Sequence, residues 1–275
     1  MSEPLRTDPS AAEPAAPSPS AEGAAVPRLA DARRGSVLGH PLDPIDVDEA
    51  AQRLLARARG GPVATVVTLN PEIVVRARSD AALADALAAA DLSVPDGVGV
   101  VWAARRAGLP VPGRVPGVEL AQRLLELGGD DLPVYLLGGR PGVAERAAAE
   151  VARRYRTRIV GARDGYFAPE DEAEAARQVA ASGARLLLAG LGERQERFLH
   201  QQRDRLGPLV AIGVGGTLDV FAGEARRTPA WTRRLGLEWA WRVGLDPARW
   251  HRAPRLARFV LLVLRAPRGR PAGGR

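Results

Sequence analysis

The sequence predicts an α/β fold: a mostly parallel, Rossmann-like sheet flanked by helices, followed by a basic helical appendage at the C-terminal end. Short runs of Val, Ile and Leu alternate with Ala-, Arg- and Glu-rich stretches at helical spacing, which is typical of repeated βαβ units. A length of 275 residues suffices for one large domain with tails. Residues 225–275 hold thirteen arginines and two acidic residues, so this segment carries +11 in a chain whose net charge is +7. The preceding part is therefore net acidic.

The apolar runs place six strands, which in chain order are ATVVTL (64–69), LSV (92–94), LPVYLLG (132–138), TRIVGA (157–162), ARLLLAGL (184–191) and LVAIGV (209–214). Helical periodicity between them predicts helices over residues 47–59, 80–90, 97–107, 117–128, 141–154, 170–182 and 193–206, with one or more after 229.

Composition divides the chain into four parts. Residues 1–35 are rich in Ala, Pro and Ser and predict a disordered leader, and prolines and acids interrupt it too often for a signal peptide. Residues 36–224 form the predicted core, 225–266 the basic appendage and 267–275 a disordered tail rich in Pro, Gly and Arg.

Missing residue types exclude several kinds of chemistry. Without cysteine there is no disulfide, thiolate nucleophile or cysteine-held metal, and without lysine there is no P-loop lysine or Schiff base. His40, His200 and His251 are far apart and show no metal-ligand spacing. We therefore expect no metal held by the protein.

Polar residues and glycines follow five of the predicted strands. Because ligands of open parallel sheets bind beyond the carboxyl ends of the strands, we expect these residues to line one site. They are Thr68 and Asn70, Asp96, Gly138 and Gly139, Gly192 to Gln195, and Gly215 to Asp219.

Three of these positions have a structural interpretation beside the functional one. Asp96, in PDG, is either a turn residue that caps the next helix or an active-site base. Asn70, the only asparagine, either caps a helix or, with Thr68, binds a polar substrate. Gln195 either meets sugar or phosphate oxygens or lies in a solvated first helical turn.

Two further motifs also remain open. In LLGGRPG, the backbone N–H groups of Gly138 and Gly139 either receive a diphosphate or form a tight turn, with Pro141 at the first helical position. Arg114, in a proline-rich loop, is either a bidentate diphosphate ligand or a surface arginine.

The appendage combines four tryptophans with many arginines and the apolar run FVLLVL. This run is much shorter than the roughly 20 residues that span a bilayer. It predicts either a helix lying in an anionic membrane interface or one whose apolar face docks on the core.

In sequence order, these motifs resemble the WecG/TagA/CpsF family of bacterial glycosyltransferases over residues of roughly 37 to 260. The matching stretches are TLNPEIV, DLSVPDGVGVVWAARRAGLPVPGRVPGVEL, VYLLGGRPGVAERAA, DGYF, GLGERQE, GVGGTLDVFAG, RRTP, LGLEWAWR and DPARWHR. The resemblance implies an inverting transfer of an N-acetylated amino sugar, such as N-acetylmannosamine or its uronic acid, from a UDP-sugar. The implied acceptor is a polyprenyl-diphosphate-linked saccharide in the synthesis of cell-surface polysaccharide or a teichoic-acid-like polymer.

The resemblance also implies roles for individual residues. Asp96 takes the position of the general base, Thr68 and Asn70 that of the Thr-x-Asn motif, and Arg114 that of the arginine facing the diphosphate. Gln195 matches the glutamine of Gly-x-Pro-Lys-Gln-Glu. We further expect substrate contacts from the following residues of the edge and the appendage: Gly138, Gly139, Gly192, Asp219, Arg242, Arg249 and Arg252.

Three stretches depart from the family pattern. The Pro-Lys of the glutamine motif is Glu193-Arg194, the usual Glu-Pro is Asp246-Pro247, and RAP is Arg227-Thr228-Pro229. The first change puts the donor contacts in question, because it adds an acid beside the glutamine.

The expected partners are the UDP-sugar, the polyprenyl-diphosphate-linked acceptor and an anionic membrane surface, with no nucleic acid; assembly into a homo-oligomer is left open. We expect no cofactor and no metal requirement, because arginines and helix N-termini can offset the diphosphate charge. The expected location is the inner face of the cytoplasmic membrane, peripherally attached.

Two other functions fit parts of the sequence. The doubly wound pattern and glycine pair are compatible with an NAD(P)-dependent Rossmann-type oxidoreductase, although the pair departs from GxGxxG. The arginine-rich tail is compatible with a nucleic-acid-binding protein, although the rest of the chain is net acidic and carries no such motif.

Overall fold

The structure is a computed structural model and describes residues 29–225 and 253–268. A short antiparallel hairpin, β1 (Gly35–Val37) and β2 (His40–Leu42), precedes a six-stranded sheet in which every neighbouring pair is parallel. The strands of this sheet are β3 (Ala64–Leu69), β4 (Leu92–Pro95), β5 (Val134–Gly138), β6 (Ile159–Arg163), β7 (Leu186–Gly190) and β8 (Val210–Gly213). Their spatial order is β4-β3-β8-β7-β5-β6, which confirms the predicted α/β class.

Helices cover both faces of this sheet. In chain order they are α1 (Val47–Ala58), α2 (Pro71–Ala77), α3 (Ala81–Ala88), α4 (Val98–Arg106), α5 (Gly117–Gly128), α6 (Val143–Tyr155), α7 (Glu172–Ala181), α8 (Gln195–Gln201), α9 (Thr217–Phe221) and α10 (Ala253–Arg265). The apolar cores group α1, α5, α6 and α9 on one face, and α2, α3, α4, α7, α8 and α10 on the other.

The central strands are largely apolar because both of their faces are covered. Along β7, Leu186 and Leu188 pack in one core, whereas Leu187 and Ala189 pack in the core on the opposite face. The edge strand β6 is half-buried and ends in Arg163. Apolar runs of this kind nevertheless made the six strands predictable from the sequence.

Several element boundaries differ from the predicted ones. Helix α6 begins at Val143 rather than at 141, because Gly142 has a left-handed conformation (φ 84°) and is the N-cap. The helix predicted over 193–206 is limited to α8, which a 3₁₀ turn precedes. The hairpin and the short helices α2 and α9 were not predicted, because segments of three to seven residues carry little periodic signal.

The folded core extends to the N-terminal side of residue 36. Leu29 is buried in the core that contains α1, and Asp31 accepts hydrogen bonds from Arg33 and Arg53. The buried carboxylate of Asp43 accepts from the backbone N–H groups of Asp31 (3.0 Å) and Ser93 (2.8 Å). This carboxylate therefore ties the first described residues to β4.

Helix α10 packs across α2 and α4, and the Phe259 side chain is fully buried between them. Among the described residues, no helix combines the length and the hydropathy needed to cross a bilayer. Most of the predicted appendage, with Arg242, Arg249, Arg252 and its four tryptophans, lies outside the described residues.

Candidate functional site

The parallel order brings the predicted site residues to one edge of the sheet. Because all six strands run in the same direction, the segments that follow β3, β4, β5, β7 and β8 leave the sheet at its carboxyl edge. This confirms that the segments carrying the predicted residues share an edge.

Asp96 lies directly after β4 and is partly exposed. Its backbone N–H donates to the carbonyl of Leu69 at 2.8 Å, which holds it against the end of the neighbouring strand β3. The N-cap of α4 is Gly97, with φ at 89°, so Asp96 precedes the cap and the interpretation of Asp96 as a helix cap is wrong. Asp96 is therefore separate from the N-cap position of α4.

The loop that carries Arg114 runs beside Asp96. The N–H of Val115 donates to the carbonyl of Pro95 at 2.6 Å, so the backbone of residue 114 lies next to the end of β4. Arg114 and Asp96 are both partly exposed. The fold thus places the predicted base and the predicted diphosphate ligand in adjacent segments.

Thr68 and Asn70 make internal hydrogen bonds at the end of β3. The buried Thr68 hydroxyl donates to the carbonyl of Gly213 at 3.1 Å, which joins β3 to β8. The Asn70 Oδ1 accepts from the N–H groups of Glu72 and Ile73 at 3.1 Å, so Asn70 is the N-cap of α2. The structural interpretation of Asn70 is therefore correct, and only its Nδ2 end remains as a candidate substrate donor.

A glycine shelf, formed by Gly138, Gly165, Gly190 and Gly215, lies where β5, β7 and β8 end. A Cβ at Gly138 would stand 2.3 Å from the carbonyl oxygen of Gly190, and one at Gly190 would stand 2.7 Å from that of Gly215. A Cβ at Gly165 would stand 3.1 Å from the Cα of Gly138. Only glycine allows this approach, so at the shelf the backbones of neighbouring segments pack directly against one another.

The hydrogen bonds of Gly139 argue against the expectation that its N–H receives a diphosphate. The N–H of Gly139 donates to the carbonyl of Gly190 at 3.1 Å, and its own carbonyl accepts from Gly165 at 2.9 Å. This N–H is therefore committed to the protein rather than offered to a diphosphate. Sequence analysis missed Gly165 and Gly190; their glycine identity within DGYF and LLLAGLG was the available signal.

Gln195 is buried beneath the shelf and is not a solvated first-turn residue. Its Oε1 accepts from the N–H of Gly215 at 3.0 Å, and its Nε2 donates to Glu196 at 2.6 Å. Burial raises the pKa of the Glu196 carboxyl above its ordinary value. The pair thus holds Gly215 in place from below.

Two further residues border the shelf. Asp219 lies in the first turn of α9, where a Cβ at Gly216 would stand 3.5 Å from its Oδ2, so its carboxylate lies over that glycine. Gly192 is exposed, with φ at 62°, in the turn that leads to Gln195.

The residues that replace the family's Pro-Lys have partners within the chain. Arg194 donates to the carbonyls of Phe167 (3.1 Å) and Gly165, and its guanidinium carbon lies 4.3 Å from the centre of the Phe167 ring. It therefore pins the loop of residues 164–167, in which Tyr166 is 72% exposed.

Glu193 connects the edge to helix α10. Its Oε1 accepts from Arg255 of α10 at 2.9 Å, and its backbone carbonyl accepts from Arg76 of α2 at 2.8 Å. Arg255 also donates to Glu72, at the start of α2, at 2.6 Å. We call Glu72, Glu193 and Arg255 the α10 clasp.

Candidate metal ligands are sparse in the described ranges. Across residues 29–225 and 253–268, no group of three His, Asp or Glu side chains is arranged to hold a metal ion.

Comparison with known proteins adds direct evidence of family. Residues 35–273 match the glycosyl transferase WecG/TagA/CpsF family. The N-acetylglucosaminyldiphosphoundecaprenol N-acetyl-beta-D-mannosaminyltransferase of Bacillus subtilis (strain 168) is 33% identical over 205 residues, covering 74% of this chain and 79% of that protein. Neither match favours an oxidoreductase or a nucleic-acid-binding protein. With a parallel α/β core that gathers the expected motifs at one edge, this chain is a glycosyltransferase and belongs to the WecG/TagA/CpsF family.

Proposed function

We propose that this enzyme transfers an N-acetylmannosamine-type sugar from a UDP-sugar to a polyprenyl-diphosphate-linked N-acetylglucosamine, with inversion at the anomeric carbon. The name of the Bacillus subtilis relative, whose printed activity joins this sugar to this kind of lipid diphosphate, supports the choice of substrates. The polymer made from the product would be a cell-surface polysaccharide or a teichoic-acid-like chain.

The placement of Asp96 is the observation that carries this proposal. An inverting transfer is a single displacement: the acceptor oxygen bonds to the anomeric carbon, the bond from that carbon to the UDP oxygen breaks, and the acceptor proton leaves. Asp96 takes that proton. Asp96 is a partly exposed residue at the carboxyl edge that precedes the N-cap of α4, and its backbone N–H donates to the carbonyl of Leu69 at 2.8 Å.

The glycine shelf is the proposed seat of the nucleotide. A surface of backbone atoms lets a flat, hydrogen-bonding group approach more closely than any side chain would, and Asp219 at its border can accept hydrogen bonds from ribose hydroxyls. The exposed Tyr166 ring, on the loop that Arg194 pins, offers a stacking surface for the base.

Arginines are the proposed counter-charges for both diphosphates. Arg114 lies beside Asp96 and is suited to bind diphosphate oxygens bidentately. Arg242, Arg249 and Arg252, outside the described residues, are assigned to the lipid diphosphate. With this charge supplied by the chain, the reaction needs neither a metal ion nor a cofactor.

The acceptor also sets the proposed location. A polyprenyl diphosphate is confined to a bilayer, and residues 225–275 carry a net charge of +11 that anionic lipids attract. The enzyme therefore works peripherally on the inner face of the cytoplasmic membrane.

Product analysis tests this proposal directly. The purified chain is incubated with UDP-N-acetylmannosamine and a short-chain polyprenyl-diphosphate N-acetylglucosamine, and NMR of the disaccharide reports the anomeric configuration. We expect one inverted linkage, equal yields with and without EDTA, and a rise in Tm with UDP but not with NAD. Retention of configuration, or stabilisation by NAD alone, would contradict the proposal.

A further inference from the structure

Exposed apolar side chains are concentrated on two neighbouring helices. Val98 and Trp102 of α4, with Val260, Leu261 and Leu264 of α10, are between 38% and 53% exposed. Within the described ranges, they make up five of the seven large hydrophobic residues that are exposed. Clustering of this kind marks an interaction surface, because singly scattered apolar residues are the norm on protein surfaces.

Direct contacts hold the two helices side by side. Gly99 of α4 lies against the Phe259 ring, where an added Cβ would be 3.5 Å from a ring carbon. Arg106, at the end of α4, donates to the carbonyls of Val263 and Leu264, each at 3.1 Å. The exposed residues of α4 and α10 are therefore presented by one two-helix unit.

Helical geometry places two of the three exposed residues of α10, Val260 and Leu264, on the flank nearer α4, and Leu261 on the side opposite Phe259. At about 100° per residue, Arg255 lies to one side of Phe259, whereas Val260 and Leu264 lie to the other. Because Arg255 bonds Glu72 of α2, its side is the α2 side, and Val260 and Leu264 are on the α4 side. We call the five exposed residues the α4–α10 face.

Positive charge surrounds this face. The described part of α10 and the residues that follow it, up to 268, carry four arginines and no acidic residue, and α4 carries two arginines and no acidic residue. Arg258 and Arg265 are exposed on α10. Apolar side chains with an exposed tryptophan and a rim of arginines match the chemistry of an anionic bilayer interface.

The face opens beside the catalytic edge. Val98 is the second residue after Asp96, and Arg255, near the start of α10, bonds Glu193 at the carboxyl edge. A bilayer that receives this face would therefore present the diphosphates of its lipids close to the proposed base.

We propose that the α4–α10 face is the surface by which the enzyme sits on an anionic bilayer, with Trp102 of the core at headgroup depth. This inference rests on the proposed function, because it supplies the route by which a lipid-linked acceptor reaches the site. It assigns membrane binding to the core helix α4 as well as to the C-terminal segment.

Vesicle binding of the full chain tests the face. The variants Trp102→Glu and Leu264→Glu are compared with Leu127→Glu, which alters an exposed leucine on α5, far from the face in the chain. Cosedimentation uses vesicles of phosphatidylglycerol and phosphatidylethanolamine, with phosphatidylcholine as the neutral reference. We expect the affinity of the two face variants for the anionic vesicles to fall by at least about tenfold. Leu127→Glu should bind like the parent chain.

Two acceptors separate this proposal from the proposed function. Folded Trp102→Glu should keep its rate on a short-chain, detergent-free acceptor and lose most of its rate on a long-chain acceptor embedded in vesicles. Equal losses of rate on both acceptors, or unchanged vesicle binding, would contradict the proposed role of the α4–α10 face. If the variants change the oligomeric state by light scattering but not vesicle binding, the face is a subunit interface and the proposal fails. A parent chain that binds vesicles through the face but transfers no sugar would refute the proposed function alone.

Discussion

The two halves of the carboxyl edge differ in whether backbone atoms or side chains form them. The half at β5, β7 and β8 is the glycine shelf, where backbone atoms form the surface and a buried amide and carboxyl hold it from below. The half at β3 and β4 carries Asp96, the Arg114 loop and the α4–α10 face. Closely packed backbone therefore characterises the shelf half, whereas side chains supply the chemistry of the β3–β4 half.

Under the proposed function, this difference suits the edge to two unlike substrates. A nucleotide is rigid and needs a close-fitting surface, whereas an acceptor hydroxyl needs a base and its lipid needs an apolar approach. Substitutions in the two halves should therefore have different effects. Those in the β3–β4 half should slow the chemical step, whereas those in the shelf should lower stability and weaken donor binding.

The largest effect is expected at Asp96. Asp96→Asn removes the proposed base without altering the Gly97 cap, so kcat should fall by about 10²–10⁴-fold while Tm stays near that of the parent chain. Asp46→Asn is the matched control, because Asn still caps α1 after the carboxylate is lost. Steady-state kinetics on the short-chain acceptor give the comparison, and a near-normal rate for Asp96→Asn would remove it from the mechanism.

A smaller effect, of another kind, is expected on the shelf. Gly138→Ala places a Cβ 2.3 Å from the carbonyl of Gly190, so the free energy of unfolding should fall by about 1–3 kcal/mol beyond the cost of the positive φ. Gly183→Ala is the control, since Gly183 also has a positive φ (72°) but open space around it. Urea unfolding measures stability, and the KM for UDP-sugar should rise in Gly138→Ala only.

The support beneath the shelf should respond to pH. Because burial raises the pKa of Glu196, the native state holds this proton more tightly than the unfolded chain does. The free energy of unfolding therefore falls as pH rises from about 4.5 through the folded-state pKa. Glu196→Gln keeps an acceptor for Gln195 and removes the titration, so it should be the more stable form at neutral pH.

Urea unfolding across that pH range checks this expectation. Glu145→Gln, on the exposed side of α6, is the control and should follow the parent curve. If Glu196→Gln shows the same pH dependence as the parent, Glu196 is not the titrating group.

The smallest effect is expected at the α10 clasp. The Glu193–Arg255 pair is partly exposed, so a double-mutant cycle with Glu193→Ala and Arg255→Ala should give a coupling energy of about 0.2–1 kcal/mol that salt weakens. Arg153 and Glu150, a surface pair on α6, provide the reference cycle. If Arg255→Ala loses activity on the acceptor embedded in vesicles but keeps its activity on the short-chain acceptor, the α10 clasp contributes to the use of the membrane-embedded acceptor.

The strands and the site edge were predictable because they follow from simple patterns. Continuous apolar runs identify strands that are buried on both faces, and parallel strands necessarily deliver Asp96 and the glycine pair to one edge. The activity was predicted from the resemblance to the family, because composition and periodicity do not identify it.

What the sequence left open depended on three-dimensional packing. Whether Asp96 or Gly97 caps α4 is a matter of one residue's backbone angles, and no local pattern separates the two. The burial of Gln195 and the commitment of the Gly139 N–H depend on Gly215 and Gly190, which are distant in sequence. For α10, the interpretation as a helix docked on the core is confirmed by the buried Phe259, and Leu261 and Leu264 stay uncovered.

The close packing of the main chain at the proposed nucleotide seat also limits how this enzyme can diversify. Any mutation at Gly138 or Gly190 adds atoms where none fit, so we expect this proposed seat to tolerate little change. A change of sugar has to come from the surrounding loops, such as the segment with Tyr166 that Arg194 clamps. Engineers who want a new donor specificity should therefore randomise those loops and leave the glycines untouched.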